Sequence, residues 1–418
     1  MNTYLKRTEV LEKMKFLFLA LFLLTVSFTI TKAQEQVTQI EGLFYMDHTP
    51  VRVDISEGKI KKLTRIKELT TTNSNIYIAP GLFDNQVNGY LGVSFIDMGA
   101  DLTTEGIYKA TNALWKDGVT SYLPTLTTNR KEIYVKNLKL LAQAKEDPEL
   151  RGSIPGFHME GPHISPVDGF RGAHPLPSVR NPDWQEFLDL YKASGENILQ
   201  VTLAPEVEGA MDYISNLKEL GIVVAIGHHN ASSQEIKEAV DRGAETVTHL
   251  GNGMANTINR HRNPLWPQLA EDRLTVSIIA DGFHLLPEQL KVFYRAKGLE
   301  KTIITSDVSA LGGMTPGKYL NVVGDTLELT PGGAVVYPAQ NNLAGSGSPL
   351  SRGVGNIMKA TGCSLGVAIR MASSNPARLN RLYDRGEIKP GMRADLILFT
   401  MEDFKMEIKK TIVAGEVV

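Results

Sequence analysis

The chain has 418 residues, 42% of them hydrophobic and 22% charged, with a formal net charge of −2. That length exceeds one average domain and suits a large barrel with a small accessory domain, long enough to bury a sizeable core. The near-neutral charge gives no support to nucleic acid or an anionic membrane surface as a partner, and the single cysteine, Cys363, excludes an intramolecular disulfide.

Phe16 to Ile30 is an apolar run with a few hydroxyls, preceded by Lys13 and Lys15 and followed by Thr31-Lys32-Ala33. A basic flank, a short apolar run and a small residue form the layout of a secretory signal. The run is shorter than the ~20 apolar residues that a spanning helix needs. Residues 1–33 are therefore expected to be a signal peptide, cleaved after Ala33, or else an N-terminal anchor. Met14 is a second candidate start, because Met14-Lys15-Phe16 opens a signal of ordinary length. The mature chain is expected outside the cytoplasm, in the periplasm or cell envelope, with no membrane span. It would be cytoplasmic if the leader does not function as a signal.

Residues 34–79 read as short strands with turns, Gly42 to Tyr45 and Val51 to Val53 forming hairpin arms. Residues 385–418 resemble them, with strands at Ala394 to Phe399 and Thr411 to Ala414. The two ends are expected to build one small β-sandwich domain. Between them, residues 80–384 alternate. Strand-like runs end near Asp84, Thr125, Glu160, Pro205, His228, His249, Asp281 and Asp307. Helix-favouring stretches lie between most of them, among them Thr104 to Lys116, Lys131 to Ala144, Asp183 to Ala193, Ser232 to Arg242 and Pro287 to Lys297. Eight strands alternating with helices imply α/β architecture and closure into a (β/α)8 TIM-like barrel. The alternative, an open doubly wound sheet, would carry a glycine-rich phosphate turn after its first strand. Asn88-Gly89-Tyr90-Leu91-Gly92 does not make one.

In a barrel the C-terminal ends of the strands face one mouth, so residues far apart in sequence converge there. Glu160, His228 and His249 end three of these strands. Two imidazoles and a carboxylate suit Zn²⁺, with Fe²⁺ or Mn²⁺ as alternatives, and three protein ligands leave a position open for water. A lone histidine at a strand end is more often structural; two on adjacent strands beside a glutamate are not. His229 adjoins His228, and neighbours on a strand point to opposite sides, so only one of the two can face the mouth. Asp307 could take a proton from water and return it to a leaving nitrogen, though an aspartate in Thr-Ser-Asp could equally cap a helix. His284 could donate to a substrate carbonyl oxygen, or be an ordinary loop histidine.

The motifs Pro80 to Gly89, His158 to Pro162, Gly227-His228, Thr248 to Asn252, Ala280 to His284, Thr305 to Asp307, Leu343 to Ser346, Asn375 to Ala377 and Gly391 to Leu396 follow one another in a familiar order. Over about residues 40 to 418 the chain resembles the N-acetylglucosamine-6-phosphate deacetylase family of the amidohydrolase superfamily. The resemblance implies an amino-sugar substrate, releasing acetate, and favours His228 over His229 beside Glu160 and His249 as ligand. It implies Asp307 as acid/base and His284 as the carbonyl-polarising residue. It assigns substrate contacts to Ala173, His174, Asn252, Gly253, Leu343, Ala344 and Gly345. Gln86 and Asn88 stand where many relatives carry a His-x-His pair for a second ion, a vestigial site that implies a single metal. The sequence departs from the family in having Asn252-Gly253 for an asparagine-alanine pair, and Arg262-Asn263-Pro264-Leu265 for Arg-Glu-Pro-Gly. The phosphate arginine is thus either Arg260 or Arg262, or both are solvated loop cations. An exported homologue could instead act on an unphosphorylated N-acetyl sugar or another amide, or be a non-catalytic sugar-binding relative. A homodimer is compatible with these expectations.

Overall fold

A computed structural model describes residues 37–69, 73–96, 101–320 and 324–418. The expected leader lies outside the described residues. No helix among the described residues is long and apolar enough to cross a membrane.

Eight strands form one parallel sheet: β1 (Leu82–Val87), β2 (Val119–Thr127), β3 (Phe157–Glu160), β4 (Ile198–Leu203), β5 (Val223–Ile226), β6 (Ala244–Val247), β7 (Thr275–Ile279) and β8 (Thr302–Thr305). Each pairs in parallel with the next in sequence. The sheet rolls up until β8 reaches β1. There the Asn88 amide donates to the Val308 carbonyl at 2.8 Å, and Val87 bridges Val308 in parallel. The expected barrel is therefore the observed one. Each strand leads to a helix, and the helices at Thr104–Lys116 and Pro287–Lys297 coincide with their sequence expectation.

The helices form for local reasons. In Thr104–Lys116 the buried Ile107, Ala110, Thr111 and Leu114 recur at helical spacing, and the Thr103 hydroxyl caps the Gly106 amide. Ser232 and Glu235 make a reciprocal capping box at the start of Ser233–Arg242. These faces pack on strands that are buried along their whole length, such as β1 and β5, as a sheet covered by helices requires.

The termini combine as expected. Seven strands run in the order Glu416–Val417, Lys405–Val413, Leu396–Glu402, Tyr77–Pro80, Gln39–Phe44, Pro50–Ser56 and Lys59–Arg65. The sheet is not left open at its far edge: Ile60 donates to the Met392 carbonyl at 2.9 Å and Ala394 to that of Gly58 at 2.8 Å. Its inner residues, including Val51, Val53, Ile60, Ile78, Phe399 and Ile412, join the main hydrophobic core.

One element has no counterpart in the sequence reading. Between β8 and the helix Leu350–Thr361 lies a four-stranded antiparallel meander, Gly317–Leu320, Thr326–Leu329, Ala334–Tyr337 and Asn342–Ser346. It carries its own small core of Leu311, Leu327, Leu329, Val335 and Tyr337. Short strands with weak alternation and several turn glycines give little periodic signal.

A buried carboxylate secures the barrel seam. Asp84 in β1 accepts from the Thr305 hydroxyl at 3.0 Å and the Ser306 amide at 3.1 Å. Burial pushes its carboxyl up to about 6, against the pull of those hydrogen bonds. Replacing Asp84 with alanine strands both donors, and an unsatisfied buried donor costs ~1–3 kcal/mol. The expected result is a loss of that order in urea unfolding, with the β1–β8 amides exchanging fastest among the barrel strands.

Candidate active site

The residues singled out by the sequence gather at the C-terminal mouth of the barrel. Glu160 is the last residue of β3, while His228, His249 and Asp307 each stand two residues beyond β5, β6 and β8. The sequence reading placed these three at the strand ends themselves. The structure moves them into the turns, with φ of +51°, +31° and +49°. Positive φ is uncommon outside glycine, and here it turns each chain just after its last ladder bond. His228 faces the mouth. His229 instead uses its Nδ1 to accept from the Ala231 amide at 3.2 Å.

Three donor atoms converge. Glu160 Oε1 lies 2.9 Å from His249 Nε2 and 3.4 Å from His228 Nε2, and the two Nε2 atoms are 3.1 Å apart. All three residues are buried. Ligands of one tetrahedral zinc, each ~2.0–2.2 Å from it, are separated by roughly 3.3 Å, so this donor set fits a divalent ion. The supporting contacts fit as well. His228 Nδ1 lies 3.2 Å from the Phe170 carbonyl, which holds the proton on that nitrogen and leaves Nε2 with its lone pair. Burial alone would raise the Glu160 carboxyl, but contact with the His228 and His249 imidazoles holds it well below its ordinary range.

Asp307 sits beside the trio with its Oδ1 held by the Gln86 and Asn88 side chains, at 2.9 and 2.7 Å. Burial, with the Glu160 charge in support, pushes the Asp307 carboxyl up to about 6. A carboxyl titrating near the working pH suits proton transfer in both directions. His284 is fixed by Asp281: Nδ1 meets Oδ2 at 2.8 Å, and Asp281 Oδ1 accepts from the Phe283 and His284 amides at 2.8 and 3.0 Å. Burial works against the Asp281 charge, yet contact with His284 keeps its carboxyl below the usual value. The sequence reading missed Asp281 as an orienting group. Its position three residues before a candidate histidine was the available signal.

The residues given to substrate contact fall into three places. His174 is buried against the trio, with Nε2 3.2 Å from His228 Nε2 and Nδ1 2.8 Å from the Thr128 hydroxyl. Burial holds its imidazole down to about 3, so it stays neutral. Ala173 and Ala344 pack on the core of the four-stranded insert, whose last strand contains Leu343 to Gly345. The insert is tied to the turn that carries Asp307, because the Ser346 amide donates to the Asp307 carbonyl at 2.8 Å. Asn252 and Gly253 follow His249 on the β6 loop. At Gly253, φ is +61° and a Cβ would stand 2.8 Å from His228 Nδ1, so the departure from alanine has a packing reason. Arg260 and Arg262 are exposed farther along the loop, where Asn259 Oδ1 accepts from the His261 and Arg262 amides, both at 2.9 Å. Neither guanidinium has an ion-pair partner among the described residues.

Residues 77–418 match the amidohydrolase family. The chain belongs to that family. An N-acetylglucosamine-6-phosphate deacetylase of Bos taurus is 35% identical over 352 residues, covering 82% of this chain and 83% of the relative. An N-acetylgalactosamine-6-phosphate deacetylase of Escherichia coli O157:H7 is 30% identical over 370 residues, 88% of this chain and 94% of the relative. Among solved structures, a mutant N-acetyl-D-glucosamine-6-phosphate deacetylase of Mycobacterium smegmatis in complex with N-acetyl-D-glucosamine-6-phosphate is similar with a TM-score of 0.81. It is 25% identical, and the match covers 92% of this chain and 99% of that one.

For this amidohydrolase the geometry separates two kinds of loss. Asp307→Asn is expected to lower turnover by about 10²–10⁴-fold while bound metal, measured by elemental analysis, stays stoichiometric. His249→Ala is expected to lose the metal itself. Wild-type turnover in Asp307→Asn would remove that residue from the acid/base role.

Proposed function

We propose that this chain hydrolyses the acetamido bond of an N-acetyl amino sugar 6-phosphate, N-acetylglucosamine 6-phosphate first among them, giving acetate and the free amine. The observation that carries the reading is a buried carboxylate base, Asp307, beside the Glu160–His228–His249 donor set, in a chain 35% identical to a deacetylase of that substrate. One ion is proposed, because the Gln86 and Asn88 amides donate to carboxylates instead of presenting lone pairs to a second cation. Zinc is the proposed metal, since two imidazoles and a carboxylate form its common catalytic ligand set. When bound, the ion supplies Lewis-acid polarisation of the acetyl carbonyl and lowers the pKa of water towards 7.

The protein groups divide the remaining work. Asp307 accepts a proton from the attacking water through Oδ2, the oxygen not held by Gln86 and Asn88. It later returns that proton to the departing nitrogen, so the amine leaves neutral. His284, its ring fixed by Asp281, has Nε2 for the acetyl oxygen. His174 and the strip Leu343 to Gly345 are proposed to line the sugar, with Asn252 and Gly253 at the β6 loop. Arg260 and Arg262 are proposed to meet the phosphate, as unpaired cations on that same loop.

A second reading rests on the leader. The layout from Lys13 to Ala33 supports export, and sugar phosphates are mainly cytosolic, so an exported enzyme would meet unphosphorylated N-acetyl sugars instead. Turnover measured on N-acetylglucosamine with and without the 6-phosphate separates the two. Under the first reading the phosphate raises kcat/KM by about tenfold or more, as 1.4 kcal/mol of binding requires. Arg260→Ala or Arg262→Ala then raises KM for the phosphorylated sugar alone. Equal rates on both sugars would remove the phosphate from the proposal. Sequencing the N-terminus of protein from its native cells tests export, with Gln34 the expected first residue.

A further inference from the structure

The Gln86 amide nitrogen lies 3.0 Å from Glu160 Oε1 and 2.9 Å from Asp307 Oδ1. Only the NH2 end of a glutamine can serve two carboxylate oxygens at once, so the chemistry fixes which end of the amide faces them. One nitrogen thus spends both of its hydrogens joining a metal-site carboxylate to the acid/base carboxylate. Asn88 adds a second donor to Asp307 Oδ1, at 2.7 Å. Gln86 is fully buried in β1, and Asn88 follows it on the same face two residues later. The Asn88 backbone amide is itself the bond that closes the barrel onto Val308, next to Asp307. Asp307 Oδ1 therefore has two donors, while Oδ2 has no protein hydrogen-bond partner among the described residues.

From this arrangement we infer that Gln86 and Asn88 are positioning residues. Together they form an amide clamp that does mechanically what a second cation would do electrostatically, holding the Asp307 and Glu160 carboxylates at a fixed separation despite their like charge. Asn88 acts on Asp307 alone. Gln86 acts on both carboxylates and so couples the orientation of the ion's ligand to that of the base. This inference rests on the proposed role of Asp307 for its kinetic part only. The coupling of Gln86 to Glu160 stands on geometry whatever the substrate.

The test uses full-length protein carrying Gln86→Met or Asn88→Ala, with melting temperature and near-UV circular dichroism as checks on folding. Zinc affinity of the metal-free protein is measured by titration, and kcat and KM with N-acetylglucosamine 6-phosphate. Partners of metal-site groups typically affect affinity or activity by ~10–100-fold. Gln86→Met is expected to weaken zinc binding within that range and to lower kcat as well. Asn88→Ala is expected to keep wild-type zinc affinity and KM while kcat falls within that range. Asn88→Ser, which keeps a short donor, is expected to retain more kcat than alanine and serves if the alanine variant misfolds. Wild-type zinc affinity in folded Gln86→Met, or wild-type kcat in folded Asn88→Ala, would overturn the clamp. A wild-type protein without deacetylase activity would refute the proposed reaction, while the zinc titration would still decide the role of Gln86.

Discussion

A carboxylate taken out of water at the end of β3 is the constraint on which the mouth of this barrel depends. Glu160 is almost completely buried, and a buried charge without partners is costly. Its Oε1 is met by two imidazole nitrogens and one amide nitrogen, from β5, β6 and β1. Each partner comes from a different part of the chain. None can be removed without leaving a charge uncompensated, so the barrel must close correctly for the site to exist.

A second carboxylate close by makes the arrangement tense as well as stable. Asp307 feels burial and the Glu160 charge, and both push its proton affinity up. The proton transfers proposed for Asp307 gain from that push, since its ionised and protonated forms are then both accessible. The same repulsion would drive the two side chains apart if nothing held them. β1 supplies the restraint. Its polar residues Asp84 and Gln86, with Asn88 just beyond, alternate onto one side and meet β8, β3 and the turn after β8. A strand built only of apolar residues could close a barrel, but it could not hold two carboxylates beside one another.

The elements around the mouth shape what can enter. The four-stranded insert docks through Ser346 on the backbone of Asp307 and packs against Ala173, so the loop after β3 and the segment after β8 form one wall. On the β6 side, Gly253 leaves just enough room for the His228 ring. The loop beyond it carries Arg260 and Arg262 in the open, without ion-pair partners among the described residues.

Much of this was readable without coordinates, because the barrel repeats a strand-and-helix period and the candidate ligand residues follow its strands. Glu160, His249 and Asp307 could be named from that rhythm, the choice of His228 over His229 needed the family resemblance, and the helix-favouring stretches were visible, though caps such as Thr103 and Ser232 appeared only in the structure. Three things were beyond the sequence. The insert at Gly317 to Ser346 has short strands whose pairing is non-local. The non-local partners of side chains, such as Asp84 with Thr305, depend on angles that spacing does not encode. The work of Gln86 and Asn88 was hidden for the same reason. In sequence they are two amides where other chains carry histidines, and only closure of β1 against β8 brings their donors within hydrogen-bond distance of Asp307, 219 and 221 residues away.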